Sequence, residues 1–454
     1  VTGELPLKRS LILGVYNNMI RLTFVLLSSF FGAAHAVDLL DIYRDAVSQD
    51  AQYAAAKAQY LSAQESLPQA QSSRLPKINL EAGYDYNSVD ADSTFSSGHR
   101  DFGSYEYGVT ATQSLYRKQN DVAVDLAQLG IIKANTELEL ANQSLMLRTL
   151  WLYSNVLRAR TNLGTVRAQK VAISEQLELA KRSFSVGTAT ITDQREAQAR
   201  LDLVLAEELA AQNDLRVSKE ALQELVGGPI SANLAQLKMP VELELPMPND
   251  IDLWVQRATE QSLEVMLAQH EVGIAKTRVE FNRLGASPTV DLVGSIVDSY
   301  AGNSTFGSGS DTTAGVVGVR LRVPLFEGGK VKSETREAIS QYDKSFQELE
   351  YVKRKVAQEA RVAFLDVTTG IARIDAFGQA LSSTKLQLES TKLGLEVGVR
   401  TAVDVLNAET LLAEARRDMF GAIYDAILAK FRLQAVTGRL VESDLVAIND
   451  LFVE

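Results

Sequence analysis

The side chains that most often carry chemistry are scarce in this chain. Its 454 residues include three histidines and no cysteine, which removes disulfides, thiolate metal sites and a cysteine nucleophile. No His-Glu-x-x-His pair and no Gly-x-Ser-x-Gly elbow occurs, so neither a zinc-activated water nor an activated serine has its residues in order. The run Pro324-Leu-Phe-Glu-Gly-Gly-Lys330 has the outline of a phosphate loop. It carries proline where the first glycine belongs and Val331 where a hydroxyl must reach magnesium. His99 falls in an expected loop tip and His270 on an expected helix, and both read as surface residues. The carboxylates Glu207-Glu208, and Glu348 with Glu350, read as solvated helix faces. No catalytic constellation, cofactor or metal site is expected, and the chain does not read as an enzyme.

Composition points the same way. The chain is 46% hydrophobic and 23% charged, with a formal charge of −11, which argues against a nucleic-acid partner. A mean hydropathy of −0.04 argues against a polytopic helical membrane protein. The start is distinct. Lys8, Arg9 and Arg21 precede an apolar run from Leu22 to Phe31, and Ala34-His35-Ala36 follows. This is the order of a secretory signal, too short to span a bilayer, so residues 1–36 are expected to be removed on export. Met19 offers a compact alternative start.

The elements that would position any site come in two copies. Arg182 to Asp193 recurs as Leu393 to Asp404, and Gly187 and Gly227 match Gly398 and Gly438 at a displacement of 211 residues. The halves are expected at 37–249 and 250–454. No proline falls between Pro76 and Pro229 or after Pro324, which leaves room for long helices. Apolar residues step by three and four across 329–395 and again from 401, with Ala415, Ala422 and Ala429 seven apart. A sustained repeat of this kind implies coiled-coil packing with close helix approach. Long helices are expected over 117–184 and 329–395, each about 100 Å long. Val186-Gly187 and Val397-Gly398 stand where one helix must turn into the next. Shorter helices are expected over 38–74, 190–226, 250–285 and 401–437. Residues 77–87, 105–115, 289–300 and 315–325 instead alternate with period two, the pattern of tilted transmembrane strands. Loops over 88–104 and 301–313 are expected at their tips. Four strands cannot close a barrel, and an open edge is forbidden in lipid. Either the hairpins are soluble or several protomers share one barrel, and three would contribute twelve strands.

On these features the chain resembles the TolC family of outer-membrane efflux and secretion proteins. The resemblance covers the mature chain, and its most specific segments are Leu325-Phe-Glu-Gly-Gly-Lys330 and Val397-Gly-Val-Arg-Thr-Ala-Val-Asp-Val-Leu406. It implies an α+β fold in which a homotrimer shares a β-barrel in the outer-membrane lipid of a Gram-negative cell, continuous with a coiled-coil tunnel across the periplasm. Equatorial segments would be 228–249 and 438–454. It implies a passive exit duct for type I secretion or multidrug efflux, engaged by an inner-membrane transporter through a periplasmic adaptor (membrane fusion) protein. The family's periplasmic aperture maps onto Arg400 and Asp404, with Asn407 where a second aspartate is expected and Leu395 where an aromatic is expected. Thr192 and Asp193 stand where the latch partners lie. Asp193 and Asp404 also suit the positive end of a helix dipole, and both roles can hold together. The competing reading is a periplasmic coiled-coil adaptor without its own pore.

Overall fold

A computed structural model describes residues 37–93, 96–230, 234–304 and 308–453. The signal expected over 1–36 lies outside them. The first half opens with α1 (Leu39–Gln49), α2 (Ala51–Gln64) and α3 (Ser66–Ser72), followed by β1 (Lys77–Ser93) and β2 (Ser96–Tyr116). The helices α4 (Lys118–Ser185) and α5 (Ile191–Val226) and the short β3 (Gln236–Leu237) complete it. The second half repeats the plan with α6 (Ile251–Gln261), α7 (Leu263–Arg283), β4 (Thr289–Ala301), β5 (Ser310–Arg322), α8 (Lys330–Glu396) and α9 (Ala402–Val436). It ends in α10 (Glu442–Asn449) and β6 (Phe452–Val453).

The first segment of each half is broken, where one continuous helix was expected over 38–74 and over 250–285. Asp50 and Ser262 both adopt extended backbone, with ψ of 118° and 136°. Asp50 accepts the amide of Tyr53 at 2.7 Å and holds Arg148 at 2.8 Å, so its carboxylate starts a new helix instead of continuing the old one. The glycine that follows the return helix of each half packs on the matching break. A Cβ on Gly227 would come 3.2 Å from Gln49 Cβ, and one on Gly438 only 2.2 Å from the Gln261 carbonyl oxygen. Both glycines have φ near +67°, a conformation that costs other residues about 1–2 kcal/mol.

The four long strands form one antiparallel sheet in the order β1-β2-β4-β5, so the two hairpins lie side by side. Its faces differ. Ile78, Leu80, Tyr84 and Tyr86 lie level with Tyr105, Val109, Ile296 and Tyr300 on one face, and these side chains are exposed in the protomer. That apolar run is nine residues long from Ile78 to Tyr86, close to the ~9–11 a tilted strand needs to cross a bilayer. The opposite face carries Asn79, Glu81, Thr110, Ser295 and Arg320. Tyr105 stacks on Tyr300 with ring centroids 5.0 Å apart, as aromatics do at a membrane boundary.

The first hairpin corrects the expected loop. Its ladder continues from Asn87 opposite Phe102 to Ser93 opposite Ser96, through the Ser- and Asp-rich stretch, and His99 lies in a strand. Beyond the apolar band both faces meet water, so polar composition does not interrupt pairing. The second hairpin stops at Ala301 opposite Ser310. Its last strand ends at Arg322, before Pro324, rather than running over 315–325, because proline cannot donate to the ladder.

The main core lies midway along the helices. Leu39, Ile42, Leu145, Tyr153, Ile423, Tyr424 and Phe431 pack there with Leu445 and Phe452. Tyr153 donates to the Ala235 carbonyl at 3.2 Å, which satisfies a hydroxyl that burial would otherwise penalise. Among the described residues no helix is long and apolar enough to cross a membrane.

Candidate functional site at the helical tip

Each long helix ends in a turn made by a Val-Gly pair. In the first half Gly187 has φ +78°, and the Thr188 amide donates to the Ser183 carbonyl at 2.9 Å. In the second half Gly398 has φ +80°, and the Val399 amide donates to Gly394 at 2.9 Å. These are helix ends of the glycine type, with the last carbonyls taken by the turn.

Both return helices begin with a reciprocal cap. The Asp193 amide donates to Thr190 Oγ1 at 3.3 Å, and the Thr190 amide donates back to Asp193 Oδ2 at 2.8 Å. Asp404 and Thr401 repeat this at 3.2 and 2.9 Å. The Thr401 amide and hydroxyl hold the Asp404 carboxyl below its ordinary range, and Arg400 adds to the effect. Thr190 and Thr401 were missing from the sequence-based site, although the Thr-x-x-Asp spacing before an apolar helix is a legible signature.

The other expected residues sit as follows. Among the described residues, no hydrogen bond or ion pair within the protomer joins Arg400 to Asp193 or Thr192. The Asp193 carboxylate is occupied by its own cap, and the Arg400 stem lies over Gly394, where an added Cβ would come 2.6 Å from Arg400 Cγ. Asn407 accepts instead a hydrogen bond from Arg200 Nη2 at 3.0 Å, linking α9 to α5. Beside it Leu406 is buried in a cluster that includes Ala197 and Val204 of α5. Together they hold the second hairpin against the first. Arg200 could not be found from spacing, because its partner is 207 residues away.

Further up the helices the polar contacts are enclosed. Glu208 is buried, not solvated as expected, and accepts from Lys170 at 2.6 Å and Arg167 at 3.1 Å. These cations keep its carboxyl ionised below the usual range. Glu409, also buried, holds Lys392 at 2.7 Å. Among the described residues no group of carboxylates and imidazoles could hold a metal ion.

A sheet with one face suited to lipid, two open edges, and duplicated helical hairpins about 100 Å long define a class. It is the outer-membrane channel-tunnel, a trimeric barrel continuous with a helical tunnel. The chain belongs to the outer membrane efflux protein family, which matches residues 42–228 and 254–439. It is 34% identical over 427 residues to the outer membrane protein TolC of Vibrio cholerae, covering 93% of this chain and 95% of that protein. It is 29% identical to the alkaline protease secretion protein AprF of Pseudomonas aeruginosa, covering 92% and 88%. In fold it is similar to the solved outer membrane protein VceC of Vibrio cholerae. The TM-score is 0.74 at 21% identity, with 88% of this chain and 96% of that one covered. The protein is a passive outer-membrane exit duct with a periplasmic extension, serving efflux or secretion. It is neither an enzyme nor a poreless adaptor.

Proposed function

We propose that the helical tip is the periplasmic mouth of this duct and its gate. The observation that carries this reading is the weak join between the two hairpins there. Arg200 and Asn407 make one exposed hydrogen bond beside the buried Leu406, and even a bond from a charged group contributes no more than about 1.5–3 kcal/mol. Three Asp404 carboxylates around the mouth attract cations, while Asn407 adds no second ring of charge. Arg400 lies beside Asp404 and, reaching Asp193 or Thr192 of a neighbouring protomer, would add a latch of about 0–1 kcal/mol per copy. A mouth held this loosely opens when a periplasmic adaptor docks on it, with an inner-membrane transporter delivering the cargo. The turns at Val186-Gly187 and Val397-Gly398 are the outermost points of the tip and the first available to such a partner.

On this reading the halves 37–249 and 250–454 are equivalent units, with 228–249 and 438–454 as the belt around the waist. Single-channel recording in planar bilayers tests the gate. Arg400→Ser and Arg200→Gln should each raise conductance, and Asp404→Ala should reduce cation preference. Unchanged conductance and selectivity in all three would place the gate elsewhere.

A further inference from the structure

The polar face of the sheet carries most of its charges in two zones, with Arg100 beyond them, opposite Val89 and four residues past the level of Asp85. At the tunnel end, Arg320 stands opposite Asp291 and Arg322 opposite Thr289, with Lys77 about two residues higher on β1. Arg117 reaches the same place, with Nη2 2.9 Å from Asp291 Oδ2. That end therefore holds four cationic side chains against one carboxylate. Higher on the same face stand Glu81, Asp85 and Glu106, opposite Gly108, Ser104 and Gly83. Among the described residues no lysine or arginine shares their face at those levels, since the register neighbours on β4 and β5 are Val297, Ser299, Ala301, Ala314, Thr312 and Ser310. All three carboxylates, and Arg320 and Arg322, are exposed in the protomer.

The fold does not require this arrangement. Among the described residues neither Arg320, Arg322 nor any of the three carboxylates forms an ion pair within the protomer, so their charge is not spent on the sheet's own stability. Because the opposite face is the apolar one, these groups point into the lumen of a closed barrel. Six residues separate the level of Arg320 from that of Glu81 along β4, about 20 Å, and four separate Lys77 from Glu81 along β1, about 13 Å. Both exceed the Debye length of about 8 Å at physiological salt, so each zone acts on permeants by itself.

We propose that the barrel is a sided charge filter. A cationic ring at its tunnel end, built from Arg320 and Arg322 with Lys77 and Arg117, concentrates multivalent anions. A carboxylate collar of Glu81, Asp85 and Glu106 nearer the outside concentrates multivalent cations. Three copies of each zone surround the lumen, and their opposite signs leave little net preference across the whole barrel. Discrimination then depends on the side of approach and the valence of the permeant. The inference rests on the shared barrel and is independent of the tip gate.

Sided block in planar bilayers tests it, using the reconstituted full-length trimer at physiological ionic strength, where the two zones are screened from each other. Hexaamminecobalt(III) added from the extracellular side should block the wild type. Its affinity should fall about tenfold in Glu81→Gln/Asp85→Asn/Glu106→Gln and stay unchanged in Asp404→Ala. Tripolyphosphate added from the tunnel side should lose about tenfold in Arg320→Gln/Arg322→Gln. Equal block in wild type and both barrel variants would overturn the filter, whatever Asp404→Ala does from the periplasmic side. Loss of periplasmic-side block in Asp404→Ala, with the barrel variants unaffected, would leave the gate standing and the filter refuted. Glu106→Gln alone removes one carboxylate per protomer and carries the same test, with a smaller shift, if the triple variant fails to assemble.

Discussion

At the end of the first hairpin Gly187 turns with φ +78°, and Thr190 with Asp193 starts the return helix. At the end of the second Gly398 turns with φ +80°, and Thr401 with Asp404 does the same. Around these matched points the side chains part. Ala189 corresponds to Arg400, Glu196 to Asn407 and Arg200 to Leu411. What the duplication keeps is what the backbone demands, a positive φ and a satisfied helix start. What it varies is what faces across to another hairpin. The bond from Arg200 to Asn407 uses one residue from each side of that divergence. The link between hairpins therefore arose from differences between the copies.

The return helices differ in burial as well. α9 encloses Ala415, Ala422, Ala426 and Ala429 against its neighbours, with Ala426 Cβ 3.1 Å from where a Gly370 Cβ would stand. α5 leaves Leu203, Leu205, Leu209 and Val217 exposed in the protomer. Identical neighbours in the trimer are the natural cover for such a surface.

The widest gap between the halves should appear at their closing glycines. Gly438→Ala combines a positive φ with a contact of 2.2 Å to a backbone oxygen and should cost about 3 kcal/mol. Gly227→Ala meets only a glutamine side chain and should cost about 1 kcal/mol. Thermal denaturation of the trimer measures both, and equal losses would mean that the two breaks are packed alike.

Ala422→Leu should overpack the seam of α9 by about 1–3 kcal/mol. Ala211 is its counterpart at the same displacement and is equally buried, each at 2% exposure. Ala211→Leu should therefore cost about as much. If α5 yields and α9 does not, the second hairpin is the rigid one, and trimer melting together with export would show it.

The caps set a finer test. Asp193→Ala and Asp404→Ala each remove the carboxylate half of a reciprocal cap, leaving its threonine in place, and should cost about 1 kcal/mol alike. Only Asp404→Ala should change ion selectivity in bilayers. Selectivity that moves equally in both variants would make the two tips functionally equivalent.

The smallest effect is on pH. The folded pKa of Asp404 is lowered by its cap, so the ionised form stabilises the helix start above the ordinary carboxylate pKa of about 3.9. That contribution is lost as pH falls through the lower folded value. Cation block at the mouth should therefore persist down to about pH 4. A midpoint well above that would show that repulsion among three aspartates outweighs the cap.

Much of this molecule was set by features a few residues long. Alternation marked the sheet, the absence of proline marked the long helices, and glycine after valine marked the turns. Each depends on neighbours within one or two turns of chain, so each can be read locally. The breaks at Asp50 and Ser262 were also within reach, since both are residue types that begin helices. Other features could not be read this way. Ile339 and Phe346 fall in the expected seam of α8 yet are exposed in the protomer, whereas Leu349 and Val356 are buried. A straight helix drifts about 20° per heptad from a 3.5-residue repeat. Across a helix of 67 residues that error grows to about half a turn. Only the packed structure fixes which face is inward at each level. The same uncertainty hid the burial of Glu208 and the reach of Arg200 to Asn407. Sequence determined the parts and their order. Tertiary structure decided which residues, some two hundred apart, meet at the tip and which charges share a face of the sheet, because helix phase and strand register are set by the partners across the interface.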